Sequence, residues 1–252
     1  MKLLGIDLGS REVKIAIMKD LKIIYKNKIS TISFYKNYCI YNNGKIVVDL
    51  KKLNCLDIDK AVSTGYGRNN TNLKEFKPIN EIKAHVYGAL YQTNLRDFVL
   101  LDLGGQDVKV VKVEKGIITD LDLNDKCAAS CGRYLENMAN VLEVSLEEMG
   151  KYYEQPVELN STCAVFSESE LIGKIAEGID IKRLCAGVNY SMYKRILPML
   201  KKFNHSTLVM SGGASNNNAL VKYLKKDYDE VLVLEENQFN GAIGCCYYAH
   251  KF

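Results

Sequence analysis

The sequence predicts an α/β protein built from two duplicated lobes, and an internal repeat is the main observation behind this prediction. The 252-residue chain contains two similar segments, 4–16 and 99–111, in which Asp, Leu, Gly, Val and Lys recur at a constant offset of 95 positions. Each segment reads as a strand, a tight glycine turn and a second strand, with an aspartate at the end of the first strand. Strand-rich and helical stretches then alternate along the chain, which indicates two α/β lobes.

The composition is that of an ordinary soluble globular protein. Hydrophobic residues make up 47% of the chain and charged residues 25%, and a net charge of +4 is too balanced to predict binding of nucleic acid or of a membrane surface. No apolar run approaches the ~18 residues that a membrane span needs. Asp7 interrupts the apolar N-terminal stretch, so we expect no signal peptide. Eight cysteines then suggest the reducing cytoplasm, where metal or redox roles are favoured over disulfides.

The two repeated glycine turns have the composition of phosphate-binding loops. Glycine lets the backbone approach a phosphate closely, turn amides can point at its oxygens, and an adjacent aspartate can hold Mg²⁺ through water. A single turn of this kind is better explained as an ordinary β-hairpin with a surface aspartate, but two related copies favour phosphate chemistry. The candidate residues are Asp7, Gly9, Ser10 and Lys14 in the first hairpin and Asp102, Gly104, Gly105, Gln106 and Lys109 in the second.

Between the two repeats, the pattern predicts one further strand and a helix. An apolar strand at 61–64 runs into the glycine-containing turn 65–68. Asn80 is placed to cap the following helix, whose first residue is Glu81. We expect His85 to be a packed helical histidine, because this is the commoner situation for a lone histidine on a helix.

A third glycine-rich element follows a strand at 207–211. Gly212 and Gly213 lie between this strand and an amphipathic helix at 218–224, and such a turn admits a flat base or a ribose. Alone this motif is weak, because turns between strands and helices often carry glycine. The last helix begins near residue 240 and carries small residues where close packing is needed.

Together, these elements resemble the actin, sugar-kinase and heat-shock-protein ATPase superfamily. The resemblance implies that the hairpins are two phosphate loops, that residues 210–214 form the adenosine motif, and that Glu81 helps to position the attacking water. It also implies actin-like lobes with a nucleotide cleft between them, which bind ATP or ADP with Mg²⁺. We expect lobe I at 1–96, completed by a C-terminal helix at about 240–252, and lobe II at 97–239.

Two cysteines, Cys127 and Cys163, begin the similar phrases Cys-Ala-Ala and Cys-Ala-Val, and each phrase runs into a helical pattern. Apolar residues spaced at i, i+3, i+4 and i+7 from Leu135 predict one helix. A capping box from Ser167 to Glu170 predicts the other. Helix N-termini favour anionic groups, including thiolates. Two thiolates cannot fill the four positions of an iron–sulfur cluster, but two copies of the chain can.

The cysteine region is similar to one family in particular. Residues 124–136 and 163–172, with 64–68 and 104–109, closely resemble the activators of 2-hydroxyacyl-CoA dehydratases. These activators are archerase-type iron–sulfur ATPases, related to the ATPase subunits of benzoyl-CoA reductase. The resemblance covers nearly the whole chain, and its cysteine motifs are shared by few other proteins.

The chain departs from this family pattern at two places. Ser130-Cys131 stands where the family usually has Gly-Thr, and Arg11 stands where the first phosphate loop usually has a small residue. Cys131 lies four residues after Cys127 and could be a spare thiol, a replacement ligand or a small buried residue. We favour the small buried residue.

The family resemblance implies an ATP-dependent one-electron donor. Cys127 and Cys163 of each protomer would ligate one [4Fe-4S] cluster shared by a homodimer. A reduced ferredoxin or flavodoxin would load the cluster, and a 2-hydroxyacyl-CoA dehydratase-like iron–sulfur protein would receive the electron. In this resemblance, Asp7 and Asp102 position Mg²⁺, and Glu81 or Gln106 orients the attacking water. The residues implied to contact phosphates are Ser10, Gly104 and Gly105, and those implied to contact adenosine are Gly212, Gly213 and Ala214.

Other interpretations remain open. The partner could be a double-cubane cluster protein or a benzoyl-CoA reductase-type enzyme. A small-molecule kinase of the same superfamily would need a catalytic aspartate, for which Asp107 is available, and the cysteines would then be packing residues. An actin-like assembly module would leave both cysteine phrases unexplained. The cysteines without paired metal spacing, which we expect to be small buried hydrophobes, are Cys39, Cys55, Cys185, Cys245 and Cys246.

Overall fold

The computed structural model describes residues 1–42, 45–69, 76–124, 130–161 and 163–252. The chain folds into two compact units. Unit 1 contains residues 1–95 and 238–252, and unit 2 contains residues 96–237. Both units are mixed α/β, so the predicted fold class holds in each of them. None of the described helices has the length and the apolar character that crossing a membrane would require.

Unit 1 is built around a five-stranded sheet with the order β3-β2-β1-β6-β7. The central strand β1 pairs antiparallel with β2 and parallel with β6. A separate two-stranded ribbon pairs β4 with β5. The elements are β1 (Lys2–Leu8), β2 (Glu12–Lys19), β3 (Lys22–Ser30), α1 (Thr31–Tyr38), β4 (Cys39–Asn42), β5 (Lys45–Val48), β6 (Lys60–Thr64), β7 (Phe76–Pro78), α2 (Glu81–Thr93) and α8 (Asn240–Lys251).

The alternation of side chains along β1 decides what its aspartate faces. Leu4, Ile6 and Leu8 are buried in one cluster with Phe34 of α1, whereas Leu3 is buried in another cluster with α8. Because successive residues of a strand point to opposite faces of the sheet, Asp7 lies on the same face as Leu3. The carboxylate at the end of the first predicted strand is therefore directed toward the α8 side of the sheet.

The helices α2 and α8 cross at very short range, as the small residues of the last helix predicted. A Cβ atom added at Gly244 would lie 1.8 Å from the carbonyl oxygen of Ala84, and one added at Gly88 would lie 2.2 Å from the carbonyl oxygen of Asn240. Asn80 caps α2 as predicted, because its side chain accepts hydrogen bonds from two amides of the first turn. Only glycine permits this approach of the two backbones.

Unit 2 repeats the same sheet with the order β10-β9-β8-β11-β12. Its central strand β8 pairs antiparallel with β9 and parallel with β11. The helices cover one face of the sheet through a cluster that includes Leu101, Tyr134, Met138 and Met192. The elements are β8 (Phe98–Leu103), β9 (Val108–Glu114), β10 (Ile117–Asn124), α3 (Gly132–Val141), α4 (Leu146–Met149), α5 (Ala164–Ala176), α6 (Ile181–Leu200), β11 (Thr207–Ser211), α7 (Asn218–Leu224) and β12 (Glu230–Val233).

The duplication extends beyond the two hairpins that the sequence revealed. In each unit, the parallel neighbour of the central strand ends at a glycine with a positive φ, which is 86° at Gly65 and 85° at Gly212. A short 3₁₀ turn follows in both cases, at Tyr66–Asn69 and Gly213–Asn216. The turn after Gly65 is therefore the counterpart in unit 1 of the predicted adenosine motif.

Candidate functional site

In unit 2, the aspartate of the second hairpin is buried and already held by two side chains. Asp102 is 2% exposed. The Ser211 hydroxyl donates a hydrogen bond of 2.6 Å to its Oδ1, and Lys109 Nζ lies 3.4 Å from its Oδ2. Sheet register explains both contacts, because Asp102 pairs with Lys109 on one side and with Ser211 on the other. Lys109 also donates to Asp107 at 2.8 Å, so this lysine joins the two carboxylates of the hairpin.

The turn of this hairpin is fixed by the start of α3. The Gly104 amide donates to the Asp107 carbonyl at 3.0 Å, which closes the turn. The amides of Gly132 and Arg133 donate to the carbonyl oxygens of Gly104 and Gly105 at 2.9 and 3.0 Å. Two amides at the N-terminus of α3 therefore find their partners in the predicted phosphate loop, and the loop and this helix form one hydrogen-bonded structure.

In unit 1, the aspartate of the first hairpin lies close to two glycines, one of which is also close to a histidine. Asp7 is 8% exposed. A Cβ atom at Gly65 would lie 2.8 Å from its Oδ1, and one at Gly241 would lie 2.6 Å from its Oδ2. The same Gly241 position lies 3.1 Å from Nε2 of His85. The expectation of a packed helical histidine is confirmed by burial, and its Nε2 borders the same space at Gly241 as the candidate catalytic carboxylate.

The other predicted residues of the first hairpin lie in its turn and on β2. Ser10 is exposed, and the Gly9 carbonyl accepts a hydrogen bond of 2.8 Å from the Thr31 hydroxyl. Lys14 pairs with Asp7 in the sheet register, and its Nζ lies 3.7 Å from Glu12. The first hairpin thus repeats the placement of carboxylate, turn and lysine that is seen in unit 2.

The predicted adenosine motif forms an open turn. Gly213 has free space where a side chain would begin, since an added Cβ atom would meet no atom within 4 Å. The Gly212 amide donates to the Asn237 carbonyl at 3.1 Å. The Ser215 hydroxyl donates to the Gly212 carbonyl at 2.7 Å and accepts from the Asn237 side chain at 2.9 Å. A rigid turn with an open face fits the predicted contact with a flat ligand, and Ala214 follows Gly213 in it.

The two residues proposed to orient water lie at the ends of their elements. Glu81 is the first residue of α2 and is half-buried. Gln106 is exposed at the turn of the second hairpin. Each lies in a different unit, and the choice between them stays a prediction.

Cys163 is an exposed thiol at the start of a helix. It occupies the N-cap position of α5 without capping the helix through its side chain. The predicted start of a helix shortly after Cys163 is confirmed, but the predicted capping box is wrong. Ser167 lies inside the first turn and donates to the Cys163 carbonyl at 3.0 Å, while the Glu170 carboxylate reaches the segment before the helix.

That preceding segment is held firmly against α5. The Glu170 carboxylate accepts hydrogen bonds from the amides of Asn160 and Ser161, each at 2.9 Å. Arg195 donates to the Ser161 carbonyl at 2.7 Å. Partial burial alone would raise the pKa of Glu170, but these amides together with Lys174 hold it below its usual value. The backbone of Asn160 and Ser161 is therefore held by charged groups on α5 and α6.

The predicted metal site rests on one described residue, because Cys127 lies outside the residues that the structure describes. Within the described ranges, no group of three or more His, Cys, Asp or Glu residues could hold a metal ion. An exposed thiol at a helix N-terminus fits a ligand set that other residues complete. Cys131, by contrast, is fully buried at the start of α3, which agrees with the expected small buried residue.

The remaining cysteines behave as packing residues. Burial raises the pKa of the Cys39 and Cys185 thiols to about 11 and that of Cys246 to about 12. The Cys245 thiol is also fully buried, and its pKa is raised well above the usual value by desolvation and by the charge of Asp7. Burial also raises the pKa of the Cys55 thiol. Neutral thiols in these places agree with the expected packing role, although Cys39 is only partly buried.

Sequence reasoning missed two residues of the site. Ser211 was assigned only to the adenosine motif, yet it holds Asp102. His85 was assigned to packing, yet it borders the space at Gly241 that Asp7 also borders. The sequence did contain a signal for Ser211, because Asp102 and Ser211 both lie near the carboxyl end of an apolar strand. The carboxyl ends of neighbouring parallel strands lie at the same edge of a sheet. For His85 the only signal was its helical spacing of four residues from Glu81.

Comparison with known proteins supports a shared fold and family over nearly the whole chain. The model of the BadF/BadG/BcrA/BcrD ATPase family matches residues 4–249. The (R)-2-hydroxyglutaryl-CoA dehydratase activating ATPase of Acidaminococcus fermentans is 34% identical over 256 aligned positions, covering 98% of this chain and 96% of that protein. The activator of lactoyl-CoA dehydratase of Anaerotignum propionicum is 35% identical and covers 100% and 98% of the two chains.

Solved structures give the same result. The activator of the 2-hydroxyisocaproyl-CoA dehydratase from Clostridium difficile, with bound ADPNP, matches with a TM-score of 0.85 and 31% identity over 100% of this chain and 95% of that chain. A ROK family glucokinase from Streptomyces griseus matches with a TM-score of 0.58 at 11% identity, which shows a common fold alone. The predicted actin-like ATPase fold is therefore confirmed.

Proposed function

The chain belongs to the BadF/BadG/BcrA/BcrD ATPase family, and we propose that it is an ATP-dependent one-electron donor that activates a 2-hydroxyacyl-CoA dehydratase-like iron–sulfur protein. The observation that carries the proposal is Cys163, an exposed thiol at the N-terminus of α5. The ATPase scaffold alone does not require such a residue. Its relatives over nearly the full length are named as dehydratase activators.

The duplicated hairpins would bind Mg-ATP or Mg-ADP. Asp7 and Asp102 would position Mg²⁺ through water, and Glu81 or Gln106 would orient the attacking water, since phosphoryl transfer depends mainly on positioning and on charge stabilisation. The lysines of both hairpins lie beside these carboxylates in the sheet register. The residues proposed to contact phosphates are Gly9, Ser10, Lys14, Gly104, Gly105 and Lys109, and those proposed to contact adenosine are Gly212, Gly213 and Ala214.

The cysteines would hold a [4Fe-4S] cluster that is shared by a homodimer. Cys127 and Cys163 of each protomer supply two ligands, and two copies supply the four that such a cluster needs. The cluster would supply one electron at low potential, received from a reduced ferredoxin or flavodoxin. Val165 and Phe166, directly after Cys163, are 70% and 69% exposed, so the start of α5 presents apolar surface that a second copy could cover.

Hydrogen bonds within unit 2 offer a route from nucleotide to cluster. The amides of Gly132 and Arg133, at the start of α3, bind the carbonyls of the Gly104-Gly105 turn. A nucleotide that binds one conformation of this turn better than another would bias the position of α3, and Cys127 precedes this helix by five residues. These hydrogen bonds support the proposal that electron transfer from the cluster depends on ATP. They argue against an ATPase in which nucleotide binding has no effect on the cysteines.

Metal analysis tests the shared cluster. Anaerobically purified protein should be brown and contain about four iron and four sulfide per dimer. Cys127→Ser and Cys163→Ser should each remove the cluster, and Cys131→Ser, a variant at a buried thiol, should retain it. Four iron atoms per monomer, or loss of the cluster only in Cys131→Ser, would show that the ligand assignment is wrong.

A second experiment separates ATP hydrolysis from metal binding. Asp102→Asn or Gln106→Ala should keep the cluster but lose ATP-driven transfer to the partner, because these changes affect Mg²⁺ and water rather than iron ligands. Asp97→Asn, at an exposed carboxylate of the same unit, is the matched control. Normal transfer in the Asp102 and Gln106 variants would contradict the coupled mechanism.

The identity of the partner has a second candidate. The chain is also 27% identical over 205 aligned positions to one of the subunits of benzoyl-CoA reductase from Thauera aromatica. A benzoyl-CoA reductase-type enzyme or a double-cubane cluster protein would use the same donor. Anaerobic reduction assays with each purified partner distinguish them, since only the correct one should accept electrons in an ATP-dependent way.

A further inference from the structure

A buried polar chain in unit 1 leads from the α2–α8 crossing to the carboxylate of the first hairpin. Asn240 begins α8 and is fully buried, and His85 on α2 is 8% exposed. The Asn240 amide nitrogen donates to the His85 carbonyl at 2.9 Å, and its Oδ1 accepts from Gln92 at 3.0 Å. These two contacts fix which end of the Asn240 amide faces the histidine.

The orientation of Asn240 in turn selects the tautomer of the imidazole. The Asn240 amide nitrogen, a donor, lies 3.5 Å from Nδ1 of His85. Nδ1 therefore faces a donor and is suited to act as an acceptor, which places the ring proton on Nε2. Nε2 lies 3.1 Å from the Cβ position of Gly241, and Oδ2 of Asp7 lies 2.6 Å from that same position. The Nε2 end of the ring and the Asp7 carboxylate thus both border the space beside Gly241.

We propose that His85 is a positioning residue for Asp7, and that it holds the carboxylate through Nε2–H while Asn240 and Gln92 hold the ring. The inference rests on the proposed ATP hydrolysis, in which Asp7 positions Mg²⁺ through water. A residue that orients such a carboxylate leaves nucleotide affinity nearly unchanged and affects the chemical step. Gly241 is required because a Cβ atom there would lie too close to both Oδ2 of Asp7 and Nε2 of His85.

The first test reads the ring directly and does not depend on hydrolysis. The chain contains three histidines, so the ¹⁵N signals of the His85 ring can be assigned by their loss in His85→Gln. At pH 8, Nε2 should be protonated and Nδ1 unprotonated in wild-type protein. Gln92→Leu removes the donor to Oδ1 of Asn240 and should weaken this preference. A ring protonated at Nδ1 in wild-type protein would overturn the proposal.

The second test is kinetic. His85→Leu should lower kcat for Mg-ATP hydrolysis roughly 10–100-fold with little change in KM, as is typical when the group that orients a metal-site carboxylate is lost. His85→Gln should recover most of kcat, since its amide nitrogen can stand in for Nε2–H. His250→Gln, at an exposed position on α8, is the matched control and should resemble wild type.

The outcomes separate this inference from the proposed function. If wild-type protein does not hydrolyse ATP, the proposed function is wrong, and the ring tautomer still decides whether His85 faces Asp7 with Nε2–H. If wild type is active and His85→Leu retains full kcat, the positioning role is wrong. Equal losses in His85→Leu and His85→Gln, together with lower unfolding temperatures for both, would show that His85 serves packing alone.

Discussion

Replacing Ser211 by alanine should destabilise unit 2 measurably, because this hydroxyl binds a buried charge. Ser211 is fully buried, Asp102 is 2% exposed, and their oxygens are 2.6 Å apart. This distance falls in the range of about 2.5–2.7 Å that is typical of charge-assisted O–H···O⁻ bonds. A hydrogen bond to a charged group contributes about 1.5–3 kcal/mol. Since water has little access to Asp102, we expect a loss toward the upper end of this range.

Ser215→Ala is the matched control on the same turn. The Ser215 hydroxyl is equally buried but has only neutral partners, since it donates to the Gly212 carbonyl at 2.7 Å and accepts from the Asn237 side chain at 2.9 Å. A neutral hydrogen bond contributes roughly 0.5–1.5 kcal/mol. Ser211→Ala in the Asp102→Asn background isolates the part of the stability that comes from the charge, because the hydroxyl then donates to a neutral amide.

Urea denaturation followed by circular dichroism measures both losses, since the chain has no tryptophan for fluorescence. Because the chain has two units, hydrogen exchange at the amides of β8 and β11 should accompany it and report on unit 2 alone. Ser211→Ala should accelerate exchange there more in the wild-type background than in the Asp102→Asn background. If Ser211→Ala costs the same free energy in both backgrounds, Ser211 does not stabilise a charged Asp102, and the reasoning about this site is wrong.

Further predictions concern the helix crossing and α5. Gly244→Ala should destabilise unit 1 by about 3 kcal/mol or more in urea denaturation, because its Cβ would lie 1.8 Å from the Ala84 carbonyl oxygen. Gly173→Ala, whose Cβ would meet no atom within 4 Å, should instead stabilise α5 by roughly 0.5–1 kcal/mol. A lower free energy of unfolding in this variant would show that the position at Gly173 is not open. The pKa of Glu170 is lowered in the folded protein, so its contribution is present at neutral pH and is lost as pH falls below about 4.5. The free energy of unfolding, measured from pH 6 to pH 3, should therefore fall less steeply in Glu170→Gln than in wild type. Glu168→Gln, at an exposed position, is the control. Equal slopes in Glu170→Gln and wild type would show that ionised Glu170 does not stabilise the fold.

Much of the fold could be predicted because local pattern and tertiary structure agree. The repeated segments appear as β1–β2 and β8–β9, the Asn80 cap begins α2, and α7 spans the predicted residues Asn218–Leu224. Each of these depends on short-range signals such as strand alternation, a capping side chain or helical spacing. The sequence therefore contains enough local information to place them.

What the sequence did not reveal depends on contacts between distant residues. The Ser167-to-Glu170 pattern is typical of a capping box, but Glu170 instead binds amides at 160 and 161, because the chain before α5 folds back along the helix. The contact between Ser211 and Asp102 spans 109 residues. His85 and Asp7 come near the same position, at Gly241, only because α8 packs against both α2 and β1. No local pattern encodes these three contacts.

Comparison of the two hairpins shows how a duplicated scaffold can give unequal carboxylates. Asp7 and Asp102 occupy equivalent places, each opposite a lysine in the register and beside a glycine with positive φ. Their recorded neighbours differ, since Asp102 meets a serine hydroxyl on β11 and the lysine itself, whereas Asp7 borders Gly241 of α8 beside Nε2 of His85. A lysine ammonium beside a buried carboxylate favours its charged form. The duplication therefore accounts for the shared position of the two groups, and elements outside the repeated hairpins supply the neighbours that distinguish them.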